Sequence, residues 1–452
     1  MDITGESIVT TAEHRAISMG WDPTRAKPAN GPRLLIYSQD GLGLGHLRRT
    51  TSIANEFLRQ RPDAAVLTVS DSPLGTFFGM TPNHDYLKLP SLLKTGPTWQ
   101  SLSLPLATGE LLALRRDLIA SVGLGFRPDL VLVDHMPHGA NGELLATLEG
   151  LSRTSTRIVL GLRDILDAPE VTRRHWESEG AYDAVERYYD EVLVYGSRHV
   201  FDVAEQYKWR ASSAGRLRYC GYVCAPDTPR NSRRIRSRCL NGSGNTRLIV
   251  AMAGGGHDAY PLMDSLLRAM PAIHAQVPCS LLMITGPFMP ASLRRDLLAR
   301  VQDMPVHVRT SVPDVLGYIG AADVVVGMAG YNTTAEMLRS QKPAVLVPRR
   351  GPSAEQRMRA RLFAERGWAG LVEPGELSAT KLSQAVLDQF ASIDGRAAVP
   401  GPDFGGLGVA VERLMSVLEE RSSATALDWR LEDEAGRPLL RARAGPARPA
   451  AS

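Results

Sequence analysis

SQDGLGLGHLRRTTSIANEF, residues 38–57, follows the apolar run Leu34-Leu35-Ile36-Tyr37 and leads into a segment of helical character. It reads as a strand, a glycine-rich turn and a helix start. Gly41, Gly43 and Gly45 let the backbone approach a ligand closely, and His46 stands where the helix begins. A plain tight turn is the alternative, because alternating glycines alone are a weak signal.

The same order recurs along the chain. LLIYS, AVLTVS, LVLVD, RIVLGL and EVLVYG are strand candidates in the first half, with GELLALRRDLIASV and AYDAVERYYD as helices between them. The second half starts afresh at TRLIVAMAGGG and continues with SLLMITG, VHVRT, DVVVGM and PAVLVP. Strands alternating with helices of this length specify α/β architecture with parallel, doubly wound sheets. The break falls in CAPDTPRNSRRIRSRCLNGSGN, which is rich in Pro, Arg, Ser and Gly. The expected organisation is a loose arm over 1–31, a Rossmann-like domain over 32–221 and a linker over 222–245. A second Rossmann-like domain over 246–420 and a disordered Arg/Pro/Ala-rich tail over 421–452 complete it. Two such domains facing across a cleft place ligands at the carboxyl ends of the strands.

A chain of 452 residues with 44% hydrophobic and 22% charged residues is an ordinary globular protein of more than one domain. Its net charge of +4 is small and dispersed, which gives nucleic-acid binding little support. Cys220, Cys224, Cys239 and Cys279 lack zinc-site spacing and read as reduced thiols. No signal peptide or transmembrane run is apparent, so a cytoplasmic protein is expected, with peripheral contact at the inner membrane face left open.

Four more loops at strand ends carry chemistry. Gly254-Gly255-Gly256 offers backbone N–H groups and a helix start to an anion such as a diphosphate. In GMAGYNTTAEML, Gly330 breaks a strand, and Thr333 and Glu336 fit either a capping box or a carboxylate that accepts from a ribose. In PRRGPSAEQRM, Ser353 and Gln356 fit the capping spacing too, while Glu355 and Gln356 suit sugar hydroxyls and Arg349 and Arg350 suit phosphate. In LVLVDHMPHG, Asp134, His135 and His138 are general-base candidates, as a sugar hydroxyl must lose its proton when it attacks. No metal triad or DxD pair ends a strand, which points away from metal-dependent transfer. A dinucleotide reading remains as a rival, with Asp71 ending the second strand as the ribose acceptor, although the third fingerprint glycine is missing.

Taken together, ADVVVGMAGYNTTAEMLRSQKPAVLVP, the following EQRMRARLFAERG and the opening GLGLGH resemble glycosyltransferase family 28. The resemblance implies a GT-B fold and a hexosyltransferase that uses a UDP-sugar as substrate, with inversion and with no cofactor or catalytic metal. It also implies that Glu336 binds the ribose, while Gly254, Gly255, Gly256 and Gly330 lie beside the diphosphate. Gly43, Gly45 and Thr333 belong to the same donor-binding set. Val312 would hold uracil through its backbone, Glu355 and Gln356 would contact the sugar, and His46 would lie at the reacting centre, with Asp134 or His135 as its rival for general base. The implied partners are the nucleotide-sugar donor and a carbohydrate, lipid-linked or small-molecule acceptor. The leucines of the glycine loop and His257-Asp258 after the second turn depart from the family pattern. A sugar-nucleotide epimerase or hydrolase, an NAD-dependent oxidoreductase and a silent nucleotide-sugar sensor are the alternatives.

Overall fold

A computed structural model describes residues 31–39, 45–75, 81–95, 98–224, 231–240, 246–301, 304–312, 314–393 and 400–428. The expected N-terminal arm, Gly41 and Gly43 lie outside these residues, as does most of the expected tail. The apolar runs named above all form strands. In chain order the strands are β1 (Arg33–Ser38), β2 (Ala65–Ser70), β3 (His84–Lys88), β4 (Leu92–Thr95), β5 (Thr98–Ser101), β6 (Leu130–Asp134), β7 (Arg157–Arg163) and β8 (Glu191–Tyr195). They continue as β9 (Leu217–Tyr219), β10 (Arg247–Met252), β11 (Cys279–Ile284), β12 (Val306–Arg309), β13 (Val324–Gly327), β14 (Ala344–Leu346) and β15 (Gly370–Leu371).

Two parallel sheets result, ordered β3-β2-β1-β6-β7-β8-β9 and β12-β11-β10-β13-β14-β15. The antiparallel pair β4-β5 stands apart. The central strands are buried along nearly their whole length, Leu34 to Ser38 in β1 and Leu248 to Met252 in β10, because helices cover both faces. In each sheet the strand order reverses beside the first strand of its domain. That reversal opens a crevice between the loops after β1 and β6 in one sheet, and between those after β10 and β13 in the other.

Two parts of the expected organisation differ. The stretch expected as a linker contains helix Ser232–Leu240, because Ile235 and Cys239, four residues apart, bury one face. The last helix runs from Gly406 to Asp428, past the expected start of the tail at Arg421. Leu407, Ala410, Val411, Leu414, Val417 and Leu418 form its buried stripe. It packs on helix Gly45–Gln60, β7 and β8 of the N-terminal domain, and Arg413 bonds both carboxylate oxygens of Glu191 at 2.9–3.1 Å. The chain therefore returns to its first domain.

Candidate active site

His46 opens helix Gly45–Gln60 and Asp134 ends β6, so the N-terminal crevice brings them together. His46 Nδ1 lies 2.5 Å from Asp134 Oδ2. Arg49, three residues after His46 and on the same helix face, donates to Asp134 Oδ1 from Nε at 3.1 Å and from Nη2 at 2.9 Å. Burial alone would raise the Asp134 carboxyl, but the Arg49 charge and the His46 contact override it and hold the group well below the usual carboxylate range. Asp134 is a fixed anion that orients an imidazole. Beside it, half-buried His135 has a left-handed backbone (φ 76°) and its ring centroid lies 5.0 Å from that of His46. Burial first, then the Arg163 charge, push the His135 imidazole well below its ordinary range, so it is neutral. His138 is drawn away from the dyad, with Nδ1 2.8 Å from the Gly139 carbonyl and Nε2 3.5 Å from Glu179.

The C-terminal crevice supplies the facing wall. The glycine turn follows β10 with Gly254 and Gly256 at positive φ (60° and 90°), and the Phe288 amide closes it by donating to the Gly255 carbonyl at 2.8 Å. Helix Tyr331–Arg339 starts beside it with Gly330 as N-cap and no side-chain cap. The capping-box alternative for Thr333 and Glu336 is thus incorrect: both lie inside the helix, so neither side chain meets an orphan N–H. Ser353 is likewise no partner for Gln356. Its hydroxyl accepts from the Glu355 amide at 3.2 Å, while Gln356 Oε1 accepts from the Arg349 amide at 3.2 Å.

Glu336 is 2% exposed, and its Oε1 lies 2.6 Å from Arg48 Nη2 of the opposite domain. Its Oε2 is buried without a hydrogen-bond partner among the described residues. Burial raises this carboxyl and Arg48 opposes the rise. A cavity of about 770 Å³ opens at Glu336, walled by Leu316 and by the cations Arg233, Arg234, Arg339 and Lys342, a volume suited to a nucleotide-sized ligand. Val312 is buried just before helix Val315–Ala321, whose N-cap Asp314 accepts from the Gly317 amide at 2.8 Å.

The two walls meet at two points one helical turn apart. Asn332 Nδ2 donates to the Gly45 carbonyl at 2.8 Å, and Arg48 reaches Glu336. A second set of cross-domain bonds is sealed. Arg359, 0% exposed, donates to Asp164 from Nε at 3.0 Å and from Nη2 at 2.7 Å, and to the Ala329 carbonyl at 2.8 Å. Arg163 Nη1 reaches Glu355 Oε2 at 2.9 Å. Burial would raise Glu355, but Arg163, Arg359 and Arg349 hold it below the usual range. The structure thus commits Glu355 to domain contacts, whereas Gln356 Nε2 lies near Gly330, 3.8 Å from where a Cβ would stand.

The proposed ribose role of Asp71 is incorrect. Asp71 is fully buried, accepts from the Leu92 amide at 3.1 Å and pairs with Arg115 at 3.4 Å, so its carboxylate serves the protein interior. Sequence reasoning missed Arg48, Arg49, Asn332, Asp164 and Arg359. The available signal was the Arg48-Arg49 pair directly after His46, since a residue three positions along a helix shares its face.

Parallel Rossmann-like sheets facing each other in this way define a GT-B fold, which solved structures share. Acinetobacter baumannii MurG superposes with a TM-score of 0.54 at 14% identity, over 87% of this chain and 100% of that one. An S. aureus MnaA–UDP complex superposes with a TM-score of 0.56 at 12% identity, over 87% and 97%. Residues 249–398 match the glycosyltransferase family 28 C-terminal domain, the family that the motifs of this region resemble. A UDP-N-acetylglucosamine--N-acetylmuramyl-(pentapeptide) pyrophosphoryl-undecaprenol N-acetylglucosamine transferase of Acidothermus cellulolyticus is 29% identical over 202 residues, 43% of this chain and 53% of the relative. The chain thus spans about half the length of that relative. The Streptomyces coelicolor protein of the same name is 25% identical over 61% of this chain and 74% of its own length. Among the described residues no helix is long and apolar enough to cross a membrane.

Proposed function

We propose that the protein is a glycosyltransferase that moves a hexose-type sugar from a UDP-sugar to an acceptor hydroxyl of a glycan, glycolipid or natural product, with inversion. The observation that carries this reading is the facing of a His46–Asp134 dyad on one domain and a buried, half-satisfied Glu336 carboxylate on the other. Glu336 takes the ribose hydroxyls, the Val312 backbone the uracil, and Gln356 the sugar. The Gly254–Gly256 turn and the start of helix Tyr331–Arg339 receive the diphosphate with backbone N–H groups and the positive end of a helix dipole.

His46 is the base. Its Nδ1 is engaged by Asp134, which leaves proton uptake to Nε2, while Asp134, held anionic by Arg49, stabilises the imidazolium that forms. The acceptor oxygen bonds to the anomeric carbon, its proton passes to His46, and the electron pair of the breaking C–O bond leaves with UDP. Charge on the leaving diphosphate is met by preorganised donors, so the scheme routes no step through a metal.

Calorimetric titration with UDP, GDP and NAD tests the donor site. UDP-selective binding that weakens about tenfold or more in Glu336→Gln is expected, because hydrogen bonds to a charged group are the strong ones. NAD binding without UDP binding refutes the reading. Asp134→Asn should lower turnover by about 10³-fold or more while leaving UDP affinity within twofold. Consumption of UDP-sugar without any acceptor would instead favour an epimerase or hydrolase.

A further inference from the structure

The Arg48–Glu336 pair occupies an atom that the donor needs. A ribose cis-diol presents two O–H donors, and a carboxylate takes both best through its two oxygens. Glu336 Oε2 is buried and has no hydrogen-bond partner among the described residues, but Oε1 is held by Arg48 Nη2 at 2.6 Å. Bidentate capture of the diol therefore competes with Arg48 for Oε1 in a confined, buried site. The Arg48 side chain is 25% exposed, so it has a way out.

The place it can go is set by the same two helices. Arg48 stands three residues after Gly45, about 4.5 Å along the helix axis. Gly45 touches Asn332, and the next residue, Thr333, faces Gly254, with Oγ1 3.5 Å from where a Cβ would stand. One helical turn therefore separates Arg48 from the junction of the glycine turn with the start of helix Tyr331–Arg339. That junction is where the UDP-sugar reading, on which this inference rests, puts the diphosphate.

We propose that donor binding is an exchange of partners: the ribose hydroxyls take Glu336, and the released Arg48 guanidinium turns to the diphosphate. There it pairs with the charge that develops as the bond from the anomeric carbon to the diphosphate oxygen breaks. The acceptor proton still goes to His46 and the electron pair still leaves with UDP. Arg48 acts as a cation and not as an acid.

The exchange separates two ligands that differ only in the diphosphate. Uridine must displace Arg48 and offers it nothing in return, whereas UDP gives the guanidinium a new partner. Arg48→Gln is therefore expected to bind uridine about fivefold or more tightly than wild type, and UDP about fivefold or more weakly, by calorimetry. Arg48→Lys, which keeps the charge but loses the planar fork, falls between them. With UDP-sugar saturating, kcat of Arg48→Gln falls about tenfold or more. A thermal melt within a few degrees of wild type confirms that the variant is folded; Arg48→Lys supplies the same comparison if it is not.

If wild-type protein binds UDP and the substitutions move both ligands in the same direction, or move neither, the exchange is overturned and the donor site stands. If wild-type protein binds neither uridine nor UDP, the donor-site reading fails and the exchange falls with it.

Discussion

Arg48 and Arg359 both join the two domains to a carboxylate, yet they are built to opposite ends. Arg359 is fully buried and saturated, with Asp164, Glu355 and the Ala329 carbonyl around one guanidinium and the Tyr331 ring 5.7 Å away. Arg48 is partly exposed and leaves one oxygen of its partner unsatisfied. A buried charge that loses its partner is costly, so the first pair fixes the domain arrangement. The second can open, because water can replace what it gives up. The same contrast recurs for a pair of glycines and a pair of histidines, and each offers a way to break it.

The largest effect belongs to the sealed arginine. Arg359→Met leaves Asp164 buried without its cation and Glu355 with Arg163 and Arg349 alone, and should cost about 3–5 kcal/mol in urea or thermal unfolding. Arg48→Gln also leaves a buried carboxylate without its cation, but the partly exposed guanidinium lets water reach the gap, so it should cost less, about 1–2 kcal/mol. Equal losses would erase the distinction between a fixed and an exchangeable contact.

How far these contacts were legible in the sequence follows from their range. The strand runs, the glycine turns and the order of Gly254, Gly330 and Glu336 are local patterns, and local periodicity carries them. The dyad was half legible: His46 began a helix after the glycine turn and Asp134 ended an apolar run, but their pairing across 88 positions needed the β1-β6 neighbourhood. Arg359 looked like one more arginine on an amphipathic helix, because its partner Asp164 lies 195 residues away in the other domain. The reach of Glu355 to Arg163, 192 positions away, was hidden for the same reason. The C-terminal helix shows its apolar stripe plainly, but a stripe states that a face is buried and not against what, so its return to the first domain could not be read. Two capping boxes fitted by spacing alone, and the structure shows that one pair lies inside its helix and the other begins one residue ahead of the N-cap.

The glycines sharpen the comparison next. A Cβ on Gly256 would stand 2.1 Å from the Thr285 carbonyl oxygen, and the backbone there has φ 90°. Gly256→Ala should destabilise by about 2–3 kcal/mol through left-handed strain and a backbone clash. Gly330 has φ −65° and room for a methyl group. Gly330→Ala should cost only about 0.5–1 kcal/mol, the preference of an N-cap for Gly over Ala, while the methyl group narrows the space shared with Gln356 and weakens UDP-sugar binding. A melt and a UDP-sugar titration on both variants separate a glycine kept for folding from one kept for a ligand.

The histidines give the smallest effect. His46 is partly exposed and tied to Asp134, whereas His84 is sealed under the sheet edge with Nε2 2.9 Å from Thr68 Oγ1. Burial pushes the His84 imidazole down to about 4 against the modest opposing pull of Asp85. The unfolded chain takes up this proton near the ordinary histidine value of about 6.5, the folded chain only near 4. His84 therefore contributes stability that is fully present above about pH 6.5 and lost as pH falls from there through 4. Between pH 7 and pH 5 the loss amounts to about 2 kcal/mol. In His84→Gln, which keeps a polar partner for Thr68, urea unfolding should lose that part of its pH dependence. An unchanged slope between pH 7 and pH 5 would mean that His84 accepts its proton in the folded state, and that its site is as open as that of His46.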